Sequence, residues 1–305
     1  MPAAKLRKIR FVEEFKKYYQ MESKIIAISG ATGFIAEHLI NAFKEYKTIL
    51  ITREDFKGKS DILFEKIIKA DVLINLAGEP IIKRWNKNNK QAIMNSRIDT
   101  TTKILKGIQL TGKNIHLLSA SAIGIYNDKG IHNEQSCQYS EGFLYEVIEN
   151  WEMLIRKTRL KNLKWTILRI GIVLAGNGGF YRRVKPIFKI GLGGKIGNGK
   201  QWMSFIHIDD LVNAVRFIIE KELDGIFNLT APNPVTNKEF TQVIARIFKK
   251  PAIIPLPVMA LKIVFGEGAS VIYSGQNVIP ERLITEGFKF KYPDIESTLK
   301  AISVD

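Results

Sequence analysis

Cysteine is almost absent from this chain: Cys137 is its one copy. That excludes an intrachain disulfide framework and a cysteine-based zinc site, and makes a reducing compartment the default expectation. Histidine is nearly as scarce, and His38, His116, His132 and His207 form no metal-ligand pair, so no metal is expected. Long apolar runs are missing too. Residues 251–261 are apolar but short and interrupted by proline, too little to span a bilayer. No apolar segment with a small-residue cleavage site follows the charged start, which argues against a secretory signal. The expectation is a cytoplasmic protein with no integral membrane association. Acidic residues are outnumbered, 30 against 46 Lys and Arg, for a net charge of +16. Such a charge suits anionic ligands. No zinc-finger or arginine-rich module accompanies it, so no specific nucleic-acid partner is expected.

What is present is ordinary for a globular chain of 305 residues: 46% hydrophobic, 25% charged, 23 Gly. Residues 1–22 form a basic leader with an irregular apolar stripe (Leu6, Ile9, Phe11, Phe15, Tyr18), expected to be poorly ordered. A membrane-surface or partner helix is the alternative there. From residue 24 onward, strand-like runs alternate with amphipathic stretches. The runs are KIIAIS (24–29), TILIT (48–52), DVLINL (71–76), 115–119 and 165–170. Helical spacing falls between them at 38–46, 87–108 and 143–158. That order predicts an α/β fold, a Rossmann-like doubly wound parallel sheet, with a smaller, mainly C-terminal α/β substrate domain. The expected division is a dinucleotide-binding domain over 23–175 and a substrate or cap region over 176–305. Within the latter, 200–230 is expected to contribute to the Rossmann core and 250–300 to form a small C-terminal domain.

The first chemical signal is Gly30-Ala31-Thr32-Gly33-Phe34-Ile35-Ala36. Gly30 permits a tight strand-to-helix turn, and Gly33 leaves room for backbone to approach a pyrophosphate at the helix N-terminus. Ala36 replaces the usual third glycine. No GK[ST] ending follows, which excludes a phosphate-loop triphosphatase. Gly30, Thr32, Gly33, Phe34 and Ile35 are therefore expected at the cofactor. After the second strand comes Thr52-Arg53-Glu54-Asp55. Arg53 suits a 2′-phosphate and Thr52 an added hydrogen bond, favouring NADP(H) over NAD(H); Glu54 or Asp55 would instead serve NAD. Leu76, Ala77 and Gly78, ending the third strand, and Ser119, in the fourth, complete the expected cofactor contacts.

Several strings resemble the extended short-chain dehydrogenase/reductases, in the atypical branch called nucleoside-diphosphate-sugar epimerase-like. They include SGATGFIA (29–36), DVLINLAGEPI (71–81), SRIDTT (96–101), LLSASAIGIYNDKG (117–130) and GLGGKIGNGKQWMSFIHIDDLV (191–212), with a C-terminal set over 265–300. The resemblance covers nearly all of 24–303 and implies an NAD-dependent epimerase/dehydratase domain followed by a small C-terminal domain. It also implies a catalytic Ser after the fourth strand, matched here to Ser121, and a Tyr-x-x-x-Lys pair on the next helix. That pair is missing. With Glu152 aligned to the helix glutamate of such relatives, the Tyr and Lys positions fall on Leu144 and Ile148.

Tyr126, Glu134, Tyr145 and His207 are the candidate substitutes for proton transfer, since a general acid needs a titratable group within reach of substrate, with a structural role in the turn before the next helix as the alternative for His207. The stretch 171–200 is rich in glycine and carries Arg182, Arg183, Lys185, Lys189, Lys195 and Lys200, as a lid over an anionic small molecule would. Trp202 and Asn228 are expected to line the substrate pocket. Asp209 or Asp210 is expected to cap the following helix, as Thr236 caps toward Glu239. The resemblance leaves room for a homodimer. Two functions remain open: an oxidoreductase or sugar-nucleotide epimerase-like enzyme, and a non-catalytic dinucleotide-binding sensor or scaffold.

Overall fold

A computed structural model describes residues 24–58 and 60–303; the leader expected over 1–22 lies outside the described residues. Six strands form one sheet: β1 (Ile25–Ser29), β2 (Lys47–Ile51), β3 (Val72–Asn75), β4 (Ile115–Ala122), β5 (Leu163–Ile170) and β6 (Gly225–Leu229). Every pairing is parallel and the order is β2-β1-β3-β4-β5-β6. A sheet covered on both faces buries whole strands, which is why β1 and β3 read as isoleucine- and leucine-rich runs rather than alternating ones. β2, at the edge, is the polar exception, with Lys47 and Leu50 exposed.

The helices divide between the two faces. On one lie α1 (Phe34–Ala42) and α6 (Ile208–Glu220), packing Leu39, Leu211, Val215 and Ile218 against Ile26, Ile28 and Phe227. On the other lie α2 (Ser60–Lys69), α3 (Lys87–Thr111) and α4 (Phe143–Arg156), with Leu63, Ile67, Ile104, Ile108 and Ile155 against Leu73 and Leu117. α1 starts at Phe34, four residues earlier than the apolar spacing alone predicts.

The smaller C-terminal subdomain gathers α5 (Gly179–Lys189), α7 (Asn237–Phe248), α8 (Val258–Phe265) and α9 (Ile295–Ser303). Tyr181, Phe188, Phe205, Phe240 and Leu299 form its own core. Thr236 caps α7 in a reciprocal box with Glu239, as the sequence predicts. At α6 the cap differs from expectation: His207, not Asp209 or Asp210, occupies the N-cap, its Nδ1 accepting from the Asp209 N–H at 3.0 Å. Asp210 is instead buried and accepts the N–H groups of Lys291 and Tyr292, both at 2.8 Å, pinning the C-terminal segment to the sheet layer.

One polar cluster crosses the carboxyl ends of β4, β5 and β6. Arg169 on β5 makes a two-pronged pair with Glu152 on α4, Nε to Oε1 at 2.9 Å and Nη2 to Oε2 at 2.7 Å. Both side chains are 1% exposed. Burial disfavours the Arg169 charge, but the Glu152 hydrogen bonds and charge outweigh it and hold the guanidinium firmly protonated. Removing one member strands the other charge in the core, at a cost of about 3–5 kcal/mol. Glu152→Ala is therefore expected to lose stability on that scale in urea unfolding, whereas a loss below about 1 kcal/mol would show that the pair is not needed.

Candidate functional site

The sheet order reverses between β1 and β3, since the chain leaves β1 for β2 on one side and returns to β3 on the other. In open α/β sheets the crevice at such a switch point takes the ligand. Here its backbone is drawn unusually close. Gly30 has φ +69°, and a side-chain carbon on it would stand 2.8 Å from the Leu76 carbonyl group and 3.0 Å from the Ala77 nitrogen. Only glycine fits this turn. Gly33 is the N-cap of α1 with no side-chain cap hydrogen bond, leaving the first N–H groups of the helix to an incoming ligand. Beneath the crevice, Ser29 donates to Asn75 Oδ1 at 2.6 Å, and Asn75 Nδ2 donates to Thr101 at 3.2 Å and Ser119 at 3.4 Å. Ser119 thus lies buried in the floor.

Thr32 is exposed and Ile35 half-buried. The Phe34 ring lies on Gly178, where any side chain would collide with it, so the start of α1 supports the loop leading to α5. Thr52 caps the short helix Arg53–Lys57 through Asp55. Arg53 is exposed and donates from Nη2 to Glu79 at 3.2 Å. Glu79 also receives Lys83 at 2.7 Å, and its carboxyl is held below the usual range, first by that Lys83 hydrogen bond.

Of the proposed chemical groups, Ser121 is buried and donates to Glu152 Oε1 at 2.6 Å. Tyr126 is fully buried; its hydroxyl accepts from Arg169 Nη1 at 2.8 Å and donates to Asn228 Oδ1 at 2.9 Å. Its ring stacks on His132 at 5.0 Å, and burial pushes its pKa up. Glu134 accepts from the backbone N–H of Asn228 at 3.0 Å and of Arg282 at 3.3 Å, with its carboxyl raised by burial. Ser121, Tyr126, Glu134 and Asn228 therefore belong to one hydrogen-bonded cluster around Arg169. Tyr145 stands apart, half-buried and stacked on Tyr139 at 6.0 Å. Trp202, half-buried, meets Gly275 of the C-terminal subdomain through its backbone.

Leu144 and Ile148 face Gly124, where an added side-chain carbon would lie 2.9 Å from Leu144 and 3.5 Å from Ile148. The wall beside the fourth strand's end is thus apolar, continued by Phe143, Ile81 and Val271. The C-terminal subdomain closes it: Gly268 packs on the Lys83 carbonyl and Trp85, and Asn277–Val278 pairs with Ile131–His132. Two surface cavities lie elsewhere, one of about 800 Å³ along α7 (Gln242, Arg246, Lys249) and one of about 490 Å³ at the strands' amino ends (Lys24, His116, Lys164). Among the described residues no cluster of three or more metal-ligating side chains gathers, and no helix is long and apolar enough to cross a membrane.

Sequence reasoning missed Arg97 and Arg169. The signal for Arg169 was a lone cation inside an apolar strand run, WTILRI. Arg97 carried no local signal beyond the string SRIDTT.

The pattern of the NAD dependent epimerase/dehydratase family matches residues 26–230, and that of a domain of unknown function (DUF1731) matches 256–302. The chain is 34% identical to the Arabidopsis thaliana epimerase family protein SDR39U1 homolog, chloroplastic, over 93% of this chain and 88% of that one. Among solved structures it is similar to human epimerase family protein SDR39U1 with NADPH, at 27% identity and TM-score 0.82, covering 92% of this chain and 99% of that one. It is also similar to Thermus thermophilus UDP-glucose 4-epimerase with NAD, at 16% identity and TM-score 0.71, over 92% and 99%; this likeness shows the fold alone. The expected preference for NADP(H) over NAD(H) is corrected by these comparisons: NADPH accompanies the human structure, but NAD accompanies the Thermus enzyme and further structural neighbours. Physically, the arginine that suggested a second phosphate is an exposed side chain in a surface pair with Glu79, which does not discriminate between the two dinucleotides.

His207, the N-cap of α6, provides a test of how that helix is anchored. Burial lowers its pKa to about 4, against the opposing Asp209 charge. The unfolded chain takes up this proton near pH 6.5 and the folded one only near 4, so the contribution is complete above 6.5 and lost on acidification through that window. The loss at this residue approaches roughly 3 kcal/mol by pH 4. His207→Asn, which keeps a capping oxygen but does not titrate, is expected to flatten the stability profile between pH 6.5 and 4. Superimposable urea-unfolding profiles across that range would refute the assignment.

Proposed function

Because the chain belongs to the NAD dependent epimerase/dehydratase family, we propose that it binds a nicotinamide dinucleotide across the β1/β3 switch point and exchanges hydride with a small alcohol or carbonyl compound. A sugar nucleotide is one member of that substrate class. The observation that carries the reading is the glycine cradle, in which Gly30 rests on Leu76-Ala77 and Gly33 opens the N-terminus of α1. Any side chain at either position would intrude on the turn or its approach, so the residues present fit a pyrophosphate. Gly33, Phe34 and Ile35 would hold that group, Ala77 and Gly78 would flank the riboses, and Thr52 would lie toward the adenosine end. When bound, the nicotinamide supplies the hydride-accepting or hydride-donating carbon.

Ser121 is proposed to orient the substrate oxygen. Its proton is committed to Glu152, so it meets a substrate hydroxyl as an acceptor. Leu144 and Ile148 exclude water from the same wall but move no proton. That observation favours a second reading, a dinucleotide-binding sensor or scaffold without turnover. Oxidation or reduction of bound dinucleotide by any carbonyl or sugar-nucleotide substrate separates the two.

The first test is a fluorescence titration of cofactor-stripped protein with NADH and NADPH in parallel. Saturable binding is expected, weakened at least tenfold, about 1.4 kcal/mol, by Gly33→Val with little change in melting temperature. Absence of binding by the wild-type chain to either dinucleotide overturns the reading.

A further inference from the structure

Arg97 is a half-buried cation that lies outside the hydrogen-bonded cluster around Arg169. It projects from α3 toward the end of β3, where a side-chain carbon on Gly78 would stand 3.1 Å from its Cζ and 3.2 Å from Nη2. Nη1 spends its hydrogens on the carbonyls of Glu79, at 3.1 Å, and Ile93, at 3.0 Å. The three N–H bonds on Nε and Nη2 meet no acceptor among the described residues, and neither nitrogen is sealed from solvent. The guanidinium also lies 5.3 Å from the Trp151 ring centre, and that indole is fixed by its own N–H bond to Thr101 at 2.9 Å. Stacking and the two carbonyls together hold the fork in one orientation.

The charge lacks a counterion. No carboxylate pairs with Arg97 among the described residues; Glu79 acts on it only through space and is already bonded to Lys83 and Arg53. Three cations thus share one carboxylate at the mouth of the switch-point crevice. Burial lowers the Arg97 pKa to about 10, which still leaves it charged at neutral pH. A fixed, partly desolvated guanidinium with its Nε–Nη2 edge free presents two parallel N–H donors, the spacing that fits a carboxylate or phosphate.

We propose that Arg97 receives an oxyanion, a carboxylate or a phosphate, in the crevice beside Gly78. The oxyanion comes either from the dinucleotide or from an acidic small-molecule substrate, and the latter source rests on the function proposed above. Arg97 cannot act as a base, so its part is to place the ligand. The charge that Ile148 does not supply from α4 is thereby supplied from α3.

The full chain and its Arg97→Met and Arg97→Lys variants decide it. Each is titrated with NADH, and the NADH-loaded protein is then titrated with oxalate and with inorganic phosphate at constant ionic strength. If the oxyanion is the dinucleotide's, Arg97→Met weakens NADH at least tenfold. If it is the substrate's, NADH affinity stays within twofold, while a saturable oxalate or phosphate response in the wild type is lost in Arg97→Met. Either result supports the proposal. Equal behaviour of wild type and Arg97→Met in both titrations overturns it. Should Arg97→Met not fold, as judged by circular dichroism, Arg97→Lys keeps the charge without the fork, and the same tenfold criterion applies to it. Should the wild type bind no dinucleotide, the function proposed above fails, and the oxyanion titration is read from melting temperature instead. A phosphate- or oxalate-dependent rise present in the wild type and absent in the variant sustains Arg97, and equal rises, or none in either, overturn it.

Discussion

The Arg169–Glu152 pair fixes the geometry on which the site rests. Two full charges at 1% exposure are costly unless geometry and hydrogen bonding are complete, and here they are. The guanidinium satisfies Glu152 through two parallel bonds and passes Nη1 to Tyr126, whose hydroxyl continues to Asn228 on β6. One helix, three strand ends and the loop after β4 are thereby locked to a common centre. The price of that rigidity falls on Ser121, the residue most expected to act on substrate: its proton is drawn to the same carboxylate.

Around this centre the backbone is brought together by omission. Gly30 on Leu76-Ala77, Gly78 on Arg97, Gly178 on Phe34 and Gly268 on Lys83 are four places where a missing side chain lets distant segments touch. The first two build the crevice itself. The last two bring the loop before α5 and the C-terminal subdomain onto its rim, so the region matching the domain of unknown function forms part of the cleft wall rather than an appendage.

Much of this was legible in the sequence because it depends on local pattern. The runs KIIAIS and DVLINL each hold an unbroken apolar stretch, Ile25–Ile28 and Val72–Ile74, as strands buried on both faces must, and the glycine turn between β1 and α1 follows from sterics alone. The Thr236–Glu239 cap is four residues long and was equally plain. What escaped depends on contacts remote in sequence. Arg53 finds Glu79, 26 residues away, and that distant carboxylate changes what a strand-end arginine means. His207 takes the α6 cap because Asp210 is occupied by Lys291 and Tyr292, some 80 residues on. Tyr126 reads as a loop aromatic, yet the Arg169 network draws it wholly inside.

Retention of the cradle beside loss of the Tyr/Lys pair constrains any hydride chemistry performed here. An alcohol that gives up hydride must also give up its hydroxyl proton, and a carbonyl that takes hydride must gain one. Leu144 and Ile148 hold no titratable proton, Ser121 already donates to Glu152, and Tyr126 already donates to Asn228. None of these four side chains has a proton free to give, so an acid or base must come from elsewhere, from water reaching the crevice or from the half-buried Glu134 carboxyl. An ionised acidic group on a substrate would answer the unpaired charge of Arg97 but would hold no proton to give, so the charge and the proton's route are separate demands on the site.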